Sequence, residues 1–149
     1  MRLWHKDLIP YLPRQQLLAQ WRECCAIAGS IAKKGTPNHL LVNKIMEYSF
    51  GHFASYIGIV YEEMKSRGYK INENKYKQLK DLVINGGILP NVTPDINNRM
   101  GGLFHNWHND RYLRQCLFNL QEKYDCGGIP EKEWKIIVDK FDEFMGICF

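Results

Sequence analysis

The sequence predicts an all-α fold, a compact single-domain helical fold of about five to six helices with a loop-rich segment near 86–107. Apolar residues recur at spacings of three and four, which places them on one face of a helix. Proline and glycine bound these periodic runs, as they do at helix starts and stops. No stretch alternates convincingly with a period of two, the pattern of a half-buried strand.

The first predicted helix follows Pro10 and Pro13 and has the clearest apolar stripe. Because an α-helix has about 3.6 residues per turn, spacings of four and three keep the apolar residues on one side. The run Lys33-Lys34-Gly35 ends the helix, since basic residues favour a helix C-terminus and glycine readily turns the backbone there. The stripe consists of Leu17, Trp21, Cys24, Ala28 and Ile31.

Further helices follow in order along the chain. Thr36-Pro37 is typical of an N-cap and a first helical position, and Asp110 is expected to cap a later helix. Glycine follows several of the periodic runs, where a helix would stop. The predicted ranges are about 37–48, 52–67, 74–85 and 111–124, followed by a last helix that opens at Pro130.

The composition is that of an ordinary globular protein. Of its 149 residues 45% are apolar and 24% charged, and we predict a single domain over 1–149. No run of about 18 apolar residues occurs, so no membrane-spanning helix is expected. Polar and charged residues between Arg2 and Asp7 interrupt any signal-peptide-like region, which makes a cytoplasmic location the expectation.

The net charge and the cysteine content indicate which kinds of partner and location are expected for the protein. A net charge of +4 permits binding to a polyanion but does not require it. The five cysteines are odd in number and form no C-x-x-C pair, so we expect reduced thiols rather than a disulfide framework. These features favour a mildly basic intracellular protein over a secreted one held by disulfides.

The side of the first helix opposite its apolar stripe is polar. Successive residues turn by about 100°, which brings Gln15, Ala19, Arg22 and Ala26 together with Glu23 beside them. The small alanines would let another surface approach closely, and the polar groups around them would hold it. The plainer interpretation is a solvated helix face with an adjacent arginine and glutamate.

The start of the chain supplies an amine that could act together with the Glu23 carboxylate. An unperturbed α-amine has a pKa of about 7.7–8.0, so an amine at Met1 would be partly neutral near pH 7.5 and able to act as a nucleophile. Glu23 lies a short segment downstream. An amine and one carboxylate form a minimal set for Schiff-base chemistry at a sugar carbon.

These residues resemble the pyrimidine-dimer DNA glycosylases, the small phage endonuclease V type and its bacterial relatives. Three stretches resemble the bacterial branch, namely Met1-Arg2-Leu3-Trp4, the segment 18–23 and Arg67-Gly68-Tyr69. A weaker likeness returns over 108–124. The likeness to the phage type has no gaps near the start of the chain and includes Leu8, Leu12, Gln15, Leu17, Ala19, Arg22 and Glu23.

The resemblance implies an all-α DNA repair glycosylase with abasic-site lyase activity on double-stranded damaged DNA, with the pyrimidine dimer as a candidate lesion. The amine of Met1 would attack C1′ of the damaged nucleotide, displace the base and form a Schiff base, and β-elimination would cut the strand. Glu23 would stabilise the sugar cation and assist proton transfer. We expect no metal or organic cofactor, no membrane partner and a monomer.

Five residues are predicted to contact DNA. Gln15 and Arg22 match positions that contact DNA near the lesion in this family, and Arg2 can replace a family arginine that corresponds to Leu3. His5 lies close to the expected amine, and His108 falls in the weaker second likeness. The predicted DNA-contacting set is therefore Arg2, His5, Gln15, Arg22 and His108.

The sequence departs from the phage-type pattern at several points. Arg2 stands where the phage type exposes a threonine amine, so Met1 would supply the nucleophile here. Ala26 replaces another DNA-contacting arginine, and the tail over 134–149 does not match the segment linked with dimer recognition. Glycosidic cleavage is therefore better supported than specificity for the cyclobutane dimer.

Two other functions stay open at this point. A non-catalytic DNA- or protein-binding domain could keep the same helical scaffold, and the departures at Met1, Leu3 and Ala26 favour it. A metal-dependent nuclease would use His105 and His108, although their spacing is not the usual one for zinc. Borohydride trapping separates these functions, because only amine catalysis yields a covalent protein–DNA adduct.

Overall fold

The computed structural model describes residues 1–85 and 102–145, and every regular element within them is a helix. No strand occurs in these residues, and the all-α prediction is confirmed. Of the expected loop-rich segment, residues 86–101 lie outside the described part of the chain. The α-helices are α1 Arg14–Lys34, α2 Phe50–Ser66, α3 Glu73–Asn85, α4 Asp110–Asp125 and α5 Glu131–Met145, with 3₁₀ helices at Lys6–Tyr11 and Asn43–Glu47.

The predicted ends of the first helix are confirmed. α1 begins directly after Pro13 and ends at Lys34. Gly35 follows with a left-handed φ of 76°, and its N–H donates to the Ile31 carbonyl at 2.8 Å. Glycine adopts this conformation without the steric cost that a Cβ atom would add, which explains the sharp stop.

The buried side of α1 differs from the predicted stripe. Trp21 is only half-buried and packs edge-on against Tyr76, with ring centroids 6.4 Å apart. Gln20 and Ile27 are buried instead. The buried side includes Gln20 because the first residues of the chain cover that face of the helix, a contact that periodicity cannot reveal.

The short helix predicted over 37–48 is wrong, because only the 3₁₀ helix Asn43–Glu47 forms in that range. The Ser30 hydroxyl on α1 lies 2.8 Å from the Thr36 carbonyl oxygen and 3.3 Å from that of Pro37. Asn38 then adopts a left-handed φ of 54°. These contacts turn the chain at the point where the helix was expected to begin.

The N-cap of α4 also differs from the prediction. Asn109 caps this helix through its side-chain oxygen, which accepts the Tyr112 N–H at 3.0 Å. Asp110 is the first residue of the helix rather than its cap. Its carboxylate lies in the first turn, where a negative charge interacts favourably with the helix dipole.

The helices enclose one cluster of buried apolar side chains that extends from Leu3 to Phe141. α1, α2 and α3 pack on one another, the first 3₁₀ helix packs on α2, and α4 packs on α5. The cysteines of the described residues are free thiols. No helix in the described part is long and apolar enough to cross a membrane.

Arg67, directly after α2, fixes the first 3₁₀ helix. Its guanidinium donates to the carbonyl oxygens of Leu12 at 2.8 Å and Pro10 at 3.2 Å. Its Nε donates to the Glu63 carboxylate at 2.8 Å. The chain that leads into α1 is therefore held by the end of α2, which sets the position of the first residues relative to α1.

Candidate active site

A cleft of about 420 Å³ runs along the polar face of α1, and we call it the α1 cleft. The predicted outward face of the first helix lies here, with Arg22 and Glu23 in its wall. Trp4 comes from the start of the chain and Lys123 from α4. The lining residues are Trp4, Gln15, Gln16, Leu18, Ala19, Arg22, Glu23 and Lys123.

Residues 1–6, here called the N-terminal segment, lie against α1. Met1 is 45% exposed, whereas Leu3 and Trp4 are buried. The Arg2 guanidinium carbon lies 5.4 Å from the centroid of the Trp4 ring, within reach of a cation–π interaction. The buried side chains hold the segment in place, so the start of the chain has a defined position.

A buried glutamine joins this segment to α1. Gln20 has no exposed surface, and its side-chain oxygen Oε1 accepts the Trp4 N–H at 2.7 Å. Its nitrogen Nε2 donates to the Arg2 carbonyl at 3.0 Å and to Glu23 Oε2 at 3.2 Å. The Tyr56 hydroxyl lies 2.9 Å from Gln20 Oε1 and 2.6 Å from the Trp4 carbonyl oxygen.

The start of the chain and the Glu23 carboxylate therefore come close together. The Arg2 carbonyl and Glu23 Oε2 are both within hydrogen-bonding distance of the same Gln20 nitrogen. The Met1 nitrogen and the Arg2 carbonyl carbon are the two ends of a two-residue stretch, a span of at most about 7 Å. Glu23 is half-buried and still lines the cleft, so one of its sides faces solvent.

The cations of the α1 cleft are available to a ligand. Arg22 and Lys123 are exposed, and within residues 1–85 and 102–145 neither forms an ion pair. Gln15 is exposed at the same cleft. Lys123 was not among the predicted DNA-contacting residues. The weaker likeness over 108–124 includes it, but nothing in the sequence shows that this part of α4 faces α1.

His5 and His108, two of the predicted DNA-contacting residues, are buried rather than exposed at the surface. Both rings are buried and stack with centroids 5.1 Å apart. The Lys6 N–H donates to His108 Nδ1 at 2.9 Å, and the Asp7 N–H donates to His5 Nδ1 at 3.1 Å. These contacts hold the N-terminal segment, and their role toward DNA stays a prediction.

Burial determines the charge state of these two rings. It lowers the pKa of His108 to about 2, with a smaller contribution from the neighbouring His5 and Lys6. Burial also lowers the pKa of His5. A neutral imidazole can accept a hydrogen bond at Nδ1, which both backbone contacts require.

His105 and His108 do not join a third potential metal ligand in the described part of the chain. His108 Nδ1 already accepts the Lys6 N–H. Residues 1–85 and 102–145 contain no group of three His, Cys, Asp or Glu side chains placed to hold a metal ion. The ligand set that a metal-dependent nuclease would need is not assembled among them.

Comparison with known proteins points to one family. A family model described as "Pyrimidine dimer DNA glycosylase" matches residues 1–77, just over half of the chain. The matched range includes the N-terminal segment, α1, α2 and every lining residue of the α1 cleft except Lys123. No curated protein and no solved structure gave a significant match.

Proposed function

The chain belongs to the pyrimidine dimer DNA glycosylase family, and we propose that it is a DNA glycosylase with abasic-site lyase activity on double-stranded damaged DNA. The observation that carries the proposal is the Gln20 amide, which donates both to the Arg2 carbonyl and to the Glu23 carboxylate. An amine and a carboxylate must flank one sugar for this chemistry, and the shared amide supports that arrangement.

The proposed nucleophile is the neutral α-amine of Met1. Its nitrogen attacks C1′ of the damaged nucleotide as the bond from C1′ to the base breaks, and the base leaves with the electron pair and takes up a proton. Opening of the sugar ring gives a protonated Schiff base. Loss of a C2′ proton then breaks the C3′–O bond and cuts the strand, and water finally releases the amine.

Glu23 is the proposed electrostatic and proton-transfer group. A carboxylate beside C1′ stabilises the positive charge that develops on the sugar as the base leaves. The same group can accept and return protons in the later steps. Neither role needs a metal or an organic cofactor, because the amine and the carboxylate supply both the nucleophile and the base.

Arg22, Lys123 and Arg2 are the proposed phosphate contacts around the α1 cleft, with Gln15 as a neutral partner. The positive side chains would position the duplex without reading base edges. Extruding a nucleotide costs a few kcal/mol and costs least at a damaged step, which favours lesions over intact DNA. We propose that the protein acts as a monomer, since one chain supplies every group named.

Borohydride trapping tests this function directly. The unblocked protein should form a covalent adduct with an abasic-site duplex, and a thymine-dimer duplex run beside it reports the lesion. Mass spectrometry of the adduct should place the link on Met1. Undamaged duplex, and protein with extra residues ahead of Met1, are the controls that should not trap.

Two results would contradict the proposal. One is the absence of an adduct on any damaged duplex, and the other is equal trapping by the blocked protein. Either would leave a non-catalytic DNA- or protein-binding domain as the better interpretation. Binding measurements on the same duplexes would then decide between DNA and protein as its partner.

A further inference from the structure

We propose that Gln20 is a positioning residue of this site, a buried amide that sets the distance between the start of the chain and the Glu23 carboxylate. This inference rests on the proposed function and adds a residue to it. Gln20 is not among the lining residues of the α1 cleft and has no exposed surface, so it would act on the reaction through the groups that it holds.

Each polar atom of this amide lies within hydrogen-bonding distance of two partners. A glutamine side chain has two N–H donors and an oxygen that can accept two hydrogen bonds. In Gln20 the donors reach the Arg2 carbonyl and Glu23 Oε2, and the oxygen meets the Trp4 N–H and the Tyr56 hydroxyl. The Trp4 N–H can only donate and the Arg2 carbonyl can only accept, so these two partners fix the amide in one orientation.

Tyr56 packs against the amide oxygen of Gln20, whose orientation the Trp4 N–H sets. Its ring is buried on α2, and its hydroxyl lies between the Trp4 carbonyl and Gln20 Oε1. Burial raises the pKa of Tyr56 well above its usual value, so the hydroxyl keeps its proton and remains a donor. Its single proton can go to the Trp4 carbonyl or to Oε1, and it is the Trp4 N–H at Oε1 that obliges Nε2 to face the other way, toward Arg2 and Glu23.

The position of Gln20 on α1 is otherwise apolar. Leu17, Cys24 and Ile27 lie on the same buried side of the helix. Burying a polar side chain is unfavourable unless its hydrogen bonds are replaced, so an amide here needs a reason beyond packing. Two of its four contacts reach the proposed reacting groups, one directly at Glu23 and one through the residue that follows Met1.

Replacing Gln20 by leucine tests the role, because leucine fills similar space and makes none of the hydrogen bonds. Gln20→Leu should bind the abasic duplex with nearly parental affinity, since Arg22 and Lys123 are untouched. Trapping in a single turnover should slow by about 100-fold, the loss expected when a reacting group moves by about 1 Å. Tyr61→Phe, which removes a part-buried hydrogen bond to Glu73 away from the α1 cleft, is the control and should trap at the parental rate.

Gln20→Glu gives a readout that a purely structural role would not produce. An ionised carboxylate can still accept from Trp4 but cannot donate to Arg2 or Glu23, so trapping should be slow at pH 7.5. Burial and the neighbouring Glu23 should raise the pKa of the new carboxyl, and its protonation restores a donor. The ratio of variant to parental rate should therefore rise as the pH falls toward 5.5.

Several titratable groups surround position 20 and are common to the variant and the parent. They are Glu23 on the same helix, Arg2 on the N-terminal segment, Tyr56 on α2, and Tyr112 and Cys116 on α4, which lie close to Tyr56. Because their effects appear in both proteins, the ratio of the two rates isolates the new carboxyl.

The outcomes are separable. Folded Gln20→Leu that traps at the parental rate, or a Gln20→Glu ratio that stays flat with pH, would overturn the positioning role. If Gln20→Leu fails to fold, the pH ratio of Gln20→Glu decides alone. If the parental protein never forms the adduct, the proposed function itself is wrong. The parental reaction is measured before any variant is compared, so this failure is distinguished from failure of the positioning role.

Discussion

The N-terminal segment is held from two sides by different chemistry. Toward α1 and α2 it is bound by Gln20 and Tyr56, which we call the amide anchor. Toward α4 it is bound by His108 and Tyr112, which together with its own His5 we call the histidine anchor. His108 Nδ1 accepts the Lys6 N–H at 2.9 Å, and the Tyr112 hydroxyl donates to the Leu3 carbonyl at 2.5 Å.

The difference between the anchors lies in how they respond to protons. The amide anchor contains a side-chain amide and a phenol that both keep their form at ordinary pH, and it contacts Glu23. The histidine anchor depends on imidazoles that must stay neutral in order to accept backbone N–H groups. The amide anchor itself is thus insensitive to acid, and the histidine anchor is sensitive to it.

The largest expected effect comes from replacing Glu23, the carboxylate that Gln20 contacts in the amide anchor. Glu23→Gln should keep the fold and the affinity for DNA but lower strand cleavage by about 10²–10⁴-fold, the usual contribution of a general acid–base group. Single-turnover cleavage of an abasic duplex measures it. Glu62→Gln, on the exposed side of α2, is the control and should cleave normally. Cleavage at the parental rate by Glu23→Gln would remove this residue from the mechanism.

The next largest expected effect is the loss of folding stability that acid causes through the histidine anchor. A histidine in the unfolded chain takes up a proton near pH 6.5, whereas burial keeps His108 neutral down to about pH 2 in the folded protein. The unfolded state binds more protons in this window. Stability is therefore complete above about pH 6.5 and falls by up to about 1.4 kcal/mol per pH unit below it.

Urea unfolding at pH 7.5, 6.5 and 5.5 measures this dependence on pH. His108→Gln should flatten the slope, while His39→Gln, a half-buried histidine far from the anchor in sequence, should retain it. Gln20→Leu should lower the free energy of unfolding equally at every pH, because the amide does not titrate. Equal slopes for the parent and His108→Gln would show that another group controls acid sensitivity.

Arg22 should have a smaller effect, confined to DNA binding on the amide side. Arg22→Ala should weaken binding to a lesion duplex by about tenfold and reduce the dependence of log K on log salt by about 0.9, the contribution of one phosphate contact. Binding to undamaged duplex should fall less. Fluorescence anisotropy over a range of salt concentrations measures both quantities.

Lys44 provides the matched control for this binding experiment. It lines a second cleft of about 320 Å³ beside Tyr112, on the side of the histidine anchor. Lys44→Ala should leave affinity and salt dependence unchanged if DNA lies along the α1 cleft. The opposite pattern, a loss with Lys44→Ala and none with Arg22→Ala, would place the duplex on the other side of the N-terminal segment.

The smallest expected effect is the loss of one hydroxyl from the histidine anchor. Tyr112→Phe removes the hydrogen bond to the Leu3 carbonyl and should lower the free energy of unfolding by about 1 kcal/mol, the usual net value of one hydrogen bond. Trapping should stay within about twofold of the parent, since the amide anchor still holds Arg2 and Trp4. Thermal melts and the borohydride assay measure the two effects. A large loss of trapping would mean that both anchors set the site.

The sequence predicted the parts of the molecule that depend on local spacing. The ends of α1 and the exposed position of Arg22 follow from periodicity and from Gly35, and the structure has them as expected. Gln20 could not be found in this way. Its burial depends on Arg2, Trp4 and Tyr56, which are distant in sequence and carry no shared motif.

One error has its origin in the contacts of a single side chain. The helix expected over 37–48 does not form because the Ser30 hydroxyl on α1 lies close to the carbonyl oxygens of Thr36 and Pro37. His5 and His108 were predicted to contact DNA, which stays a prediction, and their rings are buried and stacked although more than a hundred residues of chain separate them. In both places a side-chain contact sets the structure where residue spacing carries no signal for it.

The two anchors also become available at different times during synthesis. Gln20 and Tyr56 leave the ribosome early, so the amide contacts can form while much of the chain is still unmade. His108 and Tyr112 are translated long after Lys6 and Leu3, their partners. Contacts of such long sequence separation close late in folding. The N-terminal segment can thus be supported by the amide anchor alone until α4 has been made, and a chain terminated before α4 would lack the histidine anchor.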